Sequence, residues 1–154
     1  MVEIRRLNNK DMDQVIDIWV EGSVAAHDFI SPDYWESKKI DMKTTYLPMA
    51  DTFVIHERDH ILGFVSMVDH YLAALFVDIK KQKKGYGKQL LRYIKQKQDM
   101  IELKVYQKNK NAIHFYLKNG FRIEADTIDE PTAESEYVMV WEKDKTGGYQ
   151  GLNM

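Results

Sequence analysis

The sequence predicts a mixed α+β fold, one sheet of about seven strands with four helices, and three observations carry that reading. Segments rich in β-branched and aromatic residues alternate along the chain with segments whose apolar residues recur at helical spacing. A basic, glycine-bearing loop joins one such strand to one such helix. No internal repeat or Pro/Gly/Ser-rich linker divides the chain. With 154 residues, 44% hydrophobic and 30% charged, there is enough material for one cored domain and too little for two. A single site is therefore sought, in a domain expected to span 1–144 ahead of a frayed tail from Lys145 that carries Gly147, Gly148 and Gly151.

Val2, Ile4 and Leu7 open a first strand. Asn8 or Asn9 can cap the helix that follows, whose apolar residues Met12, Val15, Ile16 and Trp19 fall at i, i+3, i+4 and i+7 ahead of Gly22. Residues 25–30 form a connector. Ser31-Pro32, a capping residue followed by a helix-starting proline, predicts a second helix from Pro32 to about Tyr46, ending before Pro48. Residues 52–56 and 61–68 read as a hairpin around Arg58-Asp59, and Tyr71–Val77 as an apolar strand buried on both faces. A helix carrying Leu90, Leu91 and Ile94 follows the basic loop, and Met100–Tyr106 returns as a strand. Residues 109–119 are helical with Gly120 closing the helix, and residues 121–128 and 137–141 are the last two strands.

The net charge of −2 and pI near 6.2 provide no whole-molecule field for nucleic acid or an anionic membrane, so neither is an expected partner. Without cysteine there is no disulfide framework, thiolate metal site or cysteine nucleophile. No apolar run approaches the roughly 20 residues that span a bilayer, and the first residues run into a strand pattern without a leader-like apolar stretch. The expectation is a soluble, cytoplasmic protein, monomer or homodimer.

Lys80 to Lys88 place Gln82-x-x-Gly85-x-Gly87 between a strand and a helix. Glycines there permit positive φ and leave backbone N–H groups open to an anion, while the lysines add charge. An ordinary solvated turn explains the same residues, so context decides. The third glycine of a dinucleotide fingerprint would fall at Leu90, and no Gly-Lys-Ser/Thr completes a P-loop.

The stretch from Leu75-Phe76-Val77-Asp78 through Gly87-Lys88 resembles motif A of the GNAT superfamily of N-acetyltransferases, in which a strand leads through Q/R-x-x-G-x-G/A into a helix. Asn109-Lys110-Asn111-Ala112-Ile113-His114-Phe115-Tyr116, continuing to Gly120-Phe121, is similar to motif B of the same family at the family's spacing. The resemblance covers nearly the whole chain. Residues 27–30, 72–74 and 105–109 look closest to its small bacterial YiaC-like branch.

The resemblance implies the GNAT fold, acetyl-CoA as co-substrate without a metal, and direct attack by an amine acceptor: a protein lysine, an N-terminal amine or a small molecule. It implies that the backbone of Leu75, Phe76 and Val77 meets the acetyl carbonyl and the pantetheine arm. Gln82, Lys83, Lys84, Gly85, Tyr86, Gly87 and Lys88 would cradle the pyrophosphate, with Asn109 also reaching the cofactor. Tyr116 would protonate the departing sulfur, a task that suits a phenol protonated at neutral pH; a plain core aromatic is the other reading. His27, Phe29 and Tyr71 would face the acceptor.

The general base is left open. Many relatives carry a glutamate where this chain has Lys104; Glu102, His27, His70, Tyr71 or a water relay are the candidates, and a Glu102–Lys104 surface pair is the plainer reading. The acidic stretch from Asp126 to Glu136 suggests attraction for a cationic amine or simply a solvated loop.

Two other functions compete. One is an acyl-CoA-binding module without catalysis. The other is a zinc hydrolase built on His56-Glu57-x-x-His60, which requires a helix where the flanking residues favour strands.

Overall fold

A computed structural model describes residues 1–143. The expected frayed tail lies outside the described residues. Seven strands form one sheet in the order β1-β2-β3-β4-β5-β7-β6. In chain order they are β1 (Glu3–Arg6), β2 (Asp51–Glu57), β3 (His60–Val68), β4 (Tyr71–Val77), β5 (Met100–Tyr106), β6 (Arg122–Asp129) and β7 (Glu134–Glu142). Neighbours are antiparallel except β4 and β5. The main helices are α1 (Met12–Ala26), α2 (Pro32–Ser37), α3 (Tyr86–Lys95) and α4 (Lys110–Lys118), so the expected count of strands and helices holds.

Local chemistry sets each start. Asn8 accepts the Lys10 N–H at 3.0 Å, and Asp11 accepts the Asn8 N–H at 2.9 Å, a reciprocal box just ahead of α1. Asp11 is buried and held by both guanidinium nitrogens of Arg5, at 2.6 and 3.0 Å. The helix does not stop at Gly22 as the sequence suggested. It runs on to Ala26 because Gly22 is a packing glycine: a Cβ there would lie 2.7 Å from Cδ1 of Phe76 on β4. This close approach sets the end of α1 against the sheet, and with it His27.

The single helix expected from Pro32 to Tyr46 is broken. α2 ends at Ser37, and short turns over Lys39–Asp41, Met42–Tyr46 (a wide π turn) and Leu47–Met49 carry the chain onward. Pro48 lies inside the last of these, at a first-turn position where its missing N–H costs nothing.

Two apolar cores separate on either side of the sheet. Leu90, Leu91 and Ile94 of α3 and Ile113 and Tyr116 of α4 pack with Leu103 and Val105 on one face. Trp19 of α1 and Trp35 of α2 pack edge to face, centroids 5.8 Å apart, within the other. The alternation along β5 therefore turns Leu103 and Val105 toward α3 and α4, and Glu102, Lys104 and Tyr106 toward α1 and α2.

Candidate active site

The site begins with a pairing that fails to continue. β4 and β5 are in register only at Tyr71 and Glu102, where the Glu102 N–H donates to the His70 carbonyl at 3.0 Å; beyond that point they diverge. The edge of β4 from Leu72 to Val77 is left without a strand partner on that side, so alternate backbone N–H and C=O groups face an open gap. A bulge sharpens the divergence: Ser66 pairs with Ala74 and Met67 with Leu72, leaving Ala73 unpaired. β4 is accordingly not buried on both faces. Leu72 and Ala74 are buried, but Ala73 is exposed and Leu75, Phe76 and Val77 are half-buried beside a cleft of about 210 Å³.

At the upper end of that cleft the chain turns through the basic loop into α3. Gln82 Nε2 reaches the Val77 carbonyl at 3.5 Å, and Lys83 and Gly85 both hold positive φ, +68° and +82°. Gly85 is the N-cap, and the first intrahelical bond runs from Gln89 N–H to Gly85 O. The N–H groups of Tyr86, Gly87 and Lys88 are therefore free by helix geometry. Among the described residues none of Lys83, Lys84 or Gly85 donates a backbone hydrogen bond. Six consecutive donors at a helix N-terminus, on a stretch with Lys83, Lys84 and Lys88, make an anion site. The expectation for Gly85 holds, whereas Gly87 is helical and needs no positive φ. An added Cβ at Gly87 would make only ordinary contacts, 3.6 Å from Val77 and Phe115.

Tyr116 enters the same cleft from α4. Its ring packs edge-on against Phe115 and Phe121, at 5.2 and 5.3 Å, so the core-aromatic reading is true of the ring. The residue also lines the cleft, however, and its hydroxyl makes no hydrogen bond among the described residues. Burial pushes the phenol well above its ordinary value, so it stays protonated. Asn109 caps α4 by accepting the Ala112 N–H at 3.2 Å, which leaves its Nδ2 to meet His27 Nε2 at 3.3 Å. His27 is thus a neutral acceptor at Nε2, and burial lowers its pKa.

A family model for the acetyltransferase (GNAT) domain matches residues 48–123. The chain is 34% identical over 139 residues to the peptidyl-lysine N-acetyltransferase YiaC of Escherichia coli (strain K12), covering 90% of this chain and 95% of that one. The chain belongs to the GNAT acetyltransferase family. It is also 29% identical over 136 residues to the E. coli peptidyl-lysine N-acetyltransferase YjaB, covering 85% of this chain and 92% of that one. Its fold matches the solution structure of apo YjaB with a TM-score of 0.82 at 25% identity, over 93% of this chain and 99% of that one. The PaiA N-acetyltransferase of Thermoplasma acidophilum, solved with coenzyme A, matches at a TM-score of 0.78 and 22% identity, over 92% of this chain and 99% of that one.

As a GNAT enzyme, the chain transfers an acetyl group from acetyl-CoA to an amine. The residues present fit that co-substrate: the free N–H row of the loop suits a diphosphate, and the unpaired β4 edge suits an amide-bearing arm. A second cavity, lined by Lys88, Arg92, Lys95 and Lys118, extends the basic surface away from the loop.

Not every expected GNAT site residue lies in the cleft. His27, Leu75, Phe76, Asn109 and Tyr116 line it; Phe29 stands one layer back, edge-on to His27 and Tyr106 at 5.7 and 5.6 Å. Tyr71 sits at the root where β4 and β5 still pair, its phenol pushed up to about 12 by burial and then by Glu136, Glu102 and Asp129. Lys104 does not pair with Glu102. It lines the cleft near Glu136, which the sequence offered only as one of several acids between Asp126 and Glu136.

The His56-Glu57-x-x-His60 motif is a hairpin, as the flanking residues implied. Glu57 pairs with His60 and His56 with Ile61 across β2 and β3, His56 Nδ1 meets the Arg58 carbonyl at 3.0 Å, and Glu57 binds the Met1 ammonium at 3.0 Å. The two histidines share no helical face, so the zinc mechanism has no scaffold.

Proposed function

We propose that this GNAT enzyme acetylates lysine side chains of peptides or proteins, with residues 1–144 as one catalytic domain and Tyr116 as general acid. The observation that carries this reading is the gap between β4 and β5, a cleft lined by Tyr116, Lys104 and Glu136, with the 82–88 loop following from the end of β4. When bound, acetyl-CoA supplies an activated acyl thioester. The N–H groups of Lys83 to Lys88 would hold its diphosphate, Gln82 would brace the loop against Val77, and the β4 edge at Leu75, Phe76 and Val77 would orient the pantetheine arm and polarise the acyl carbonyl. Tyr116 would keep a proton at its hydroxyl for the departing sulfur, burial holding the phenol above its ordinary value.

The acceptor enters from the opposite face, where Glu136 and Asp129 favour a cation and His27 and Trp35 form an aromatic wall. The two peptidyl-lysine acetyltransferases that align over 90% and 85% of the chain support a lysine acceptor. Dependence on acetyl-CoA supports a cytoplasmic location. The test is mass spectrometry of lysine peptides, peptides with only a free α-amine, and spermidine, each incubated with enzyme and acetyl-CoA. Acetylation of the lysine side chain at the highest kcat/KM is expected. Preference for the α-amine or for spermidine would overturn the acceptor assignment.

A further inference from the structure

An amine acceptor reaches a GNAT enzyme as an ammonium ion near neutral pH, so a group must take its proton before attack. Glu136 is placed for that. Its backbone is anchored on both sides of the residue: Gln107 N–H donates to the Ser135 carbonyl at 2.9 Å, and Gln107 Nε2 donates to the Glu136 carbonyl at 3.1 Å. Pairing with Tyr106 across β5 and β7 puts its side chain on the α1–α2 face, and it lines the cleft. The adjoining turn is fixed by N–H bonds from Thr132 and Ala133 to the Asp129 carbonyl and by the Lys108–Glu134 ion pair at 3.1 Å. Yet the Glu136 carboxylate has no hydrogen bond or ion pair among the described residues. Its neighbour Asp129 is held by comparison, Oδ2 taking O–H bonds from Tyr106 and Thr132, both at 2.7 Å. A held backbone with an unengaged carboxylate facing a reaction cleft marks a group kept for a ligand.

We propose that Glu136 is the proton acceptor for the ammonium group of the acceptor, with Asp129 as a positioning residue that keeps a second negative charge beside it. The inference rests on the lysine-acceptor reading above. In the step, one N–H bond of the primary ammonium breaks and an O–H bond forms on Glu136, leaving a neutral amine and a carboxylic acid that returns its proton to solvent. Transfer from an ammonium to a thioester releases one proton overall, and Glu136 is its first stop. Tyr116, from the opposite face of the sheet, serves the leaving sulfur, so acid and base meet through the gap between β4 and β5.

The charged and titratable groups around Glu136 come from every wall: Asp129 on β6, Lys104 and Tyr106 on β5, Tyr71 on β4, Tyr34 on α2 and, across the cleft, His27 at the end of α1. Burial first, and Asp129 next, raise the carboxyl above its ordinary value, while Lys104 opposes them. That direction moves a carboxylate toward the pH range of useful base catalysis.

The test is the pH dependence of kcat/KM for a lysine peptide in wild type, Glu136→Gln and Glu136→Asp, with acetyl-CoA affinity by calorimetry and melting temperature alongside. Glu136→Gln is expected to lower kcat/KM about 10²- to 10⁴-fold near neutrality and to erase its acidic limb. Acetyl-CoA affinity and melting temperature should be unchanged, and Glu136→Asp should retain the limb with reduced rate. An intact acidic limb in Glu136→Gln overturns the proposal, whether KM rises or not, since a residue that only attracts the cation would change KM alone. Wild-type enzyme that binds acetyl-CoA but transfers nothing to lysine overturns the acceptor reading first and this inference with it.

Discussion

Replacing Tyr116 by Phe isolates one atom. The ring keeps its edge-on contacts with Phe115 and Phe121, so the α4 core is undisturbed. The hydroxyl has no partner among the described residues and belongs to a cleft-lining side chain, so its removal strands no donor or acceptor and should change stability by less than about 1 kcal/mol. What disappears is the proton donor. General acid catalysis is worth about 10²- to 10⁴-fold, or about 3–5 kcal/mol of barrier. We therefore expect kcat to fall by that factor, with the acetyl-CoA Kd within about twofold of wild type and the melting temperature unchanged. The assay is thiol release in the presence of a lysine peptide, with calorimetry and thermal melts as controls. Because burial raises the phenol above its ordinary value near 10, the wild-type rate should show no alkaline loss from Tyr116 below about pH 10. Unchanged turnover in the variant would refute the acid role. A parallel loss of acetyl-CoA binding would mean that the hydroxyl serves affinity instead.

Gly85→Val places a β-branched residue at φ +82°, where nothing lies within 4 Å of the new Cβ; the effect is backbone strain of about 1–2 kcal/mol, and acetyl-CoA affinity measured by calorimetry should drop as the loop re-forms. Gly22→Ala drives a Cβ to within 2.7 Å of Phe76, which should cost about 1–3 kcal/mol in urea melts and raise the KM for the acceptor, since α1 carries His27 into the cleft. Asp11→Asn should cost about 1–3 kcal/mol at pH 7 by breaking the Arg5 pair. Arg5 holds Asp11 below the ordinary carboxylate range, so this contribution is complete above about pH 4 and disappears as the pH falls through the lower folded value. Urea melts should show the two proteins converging on acidification.

The strands and the four main helices were legible because their signals are local: Asn8 ahead of Met12, Ser31 before Pro32, glycine at 85 and 120. The helix from Pro32 was read too long, since no residue near Lys38 announces the break. Gly22 was read as a stop because its use, admitting Phe76, depends on a strand more than fifty residues away in sequence. The phosphate loop could be read for the same reason as the caps, its donors and charges being consecutive. The gap could not, because it consists of a pairing that β4 and β5 do not make beyond Tyr71 and Glu102. The place of Glu136 in the cleft was hidden likewise, although the residue stood in the acidic stretch read for a cationic amine. Only the β5–β7 register separates it from the exposed Glu130 and Asp126, and that register is set by strands that are not adjacent in sequence.

The central claim is that acetyl-CoA sits on the 83–88 loop and along the open edge of β4. Amide hydrogen exchange with and without saturating acetyl-CoA tests it most directly. We expect peptides covering 72–77 and 83–88 to gain protection while the 56–60 hairpin is unchanged; protection confined to any other part of the chain, with 83–88 exchanging as in the free protein, would contradict the account.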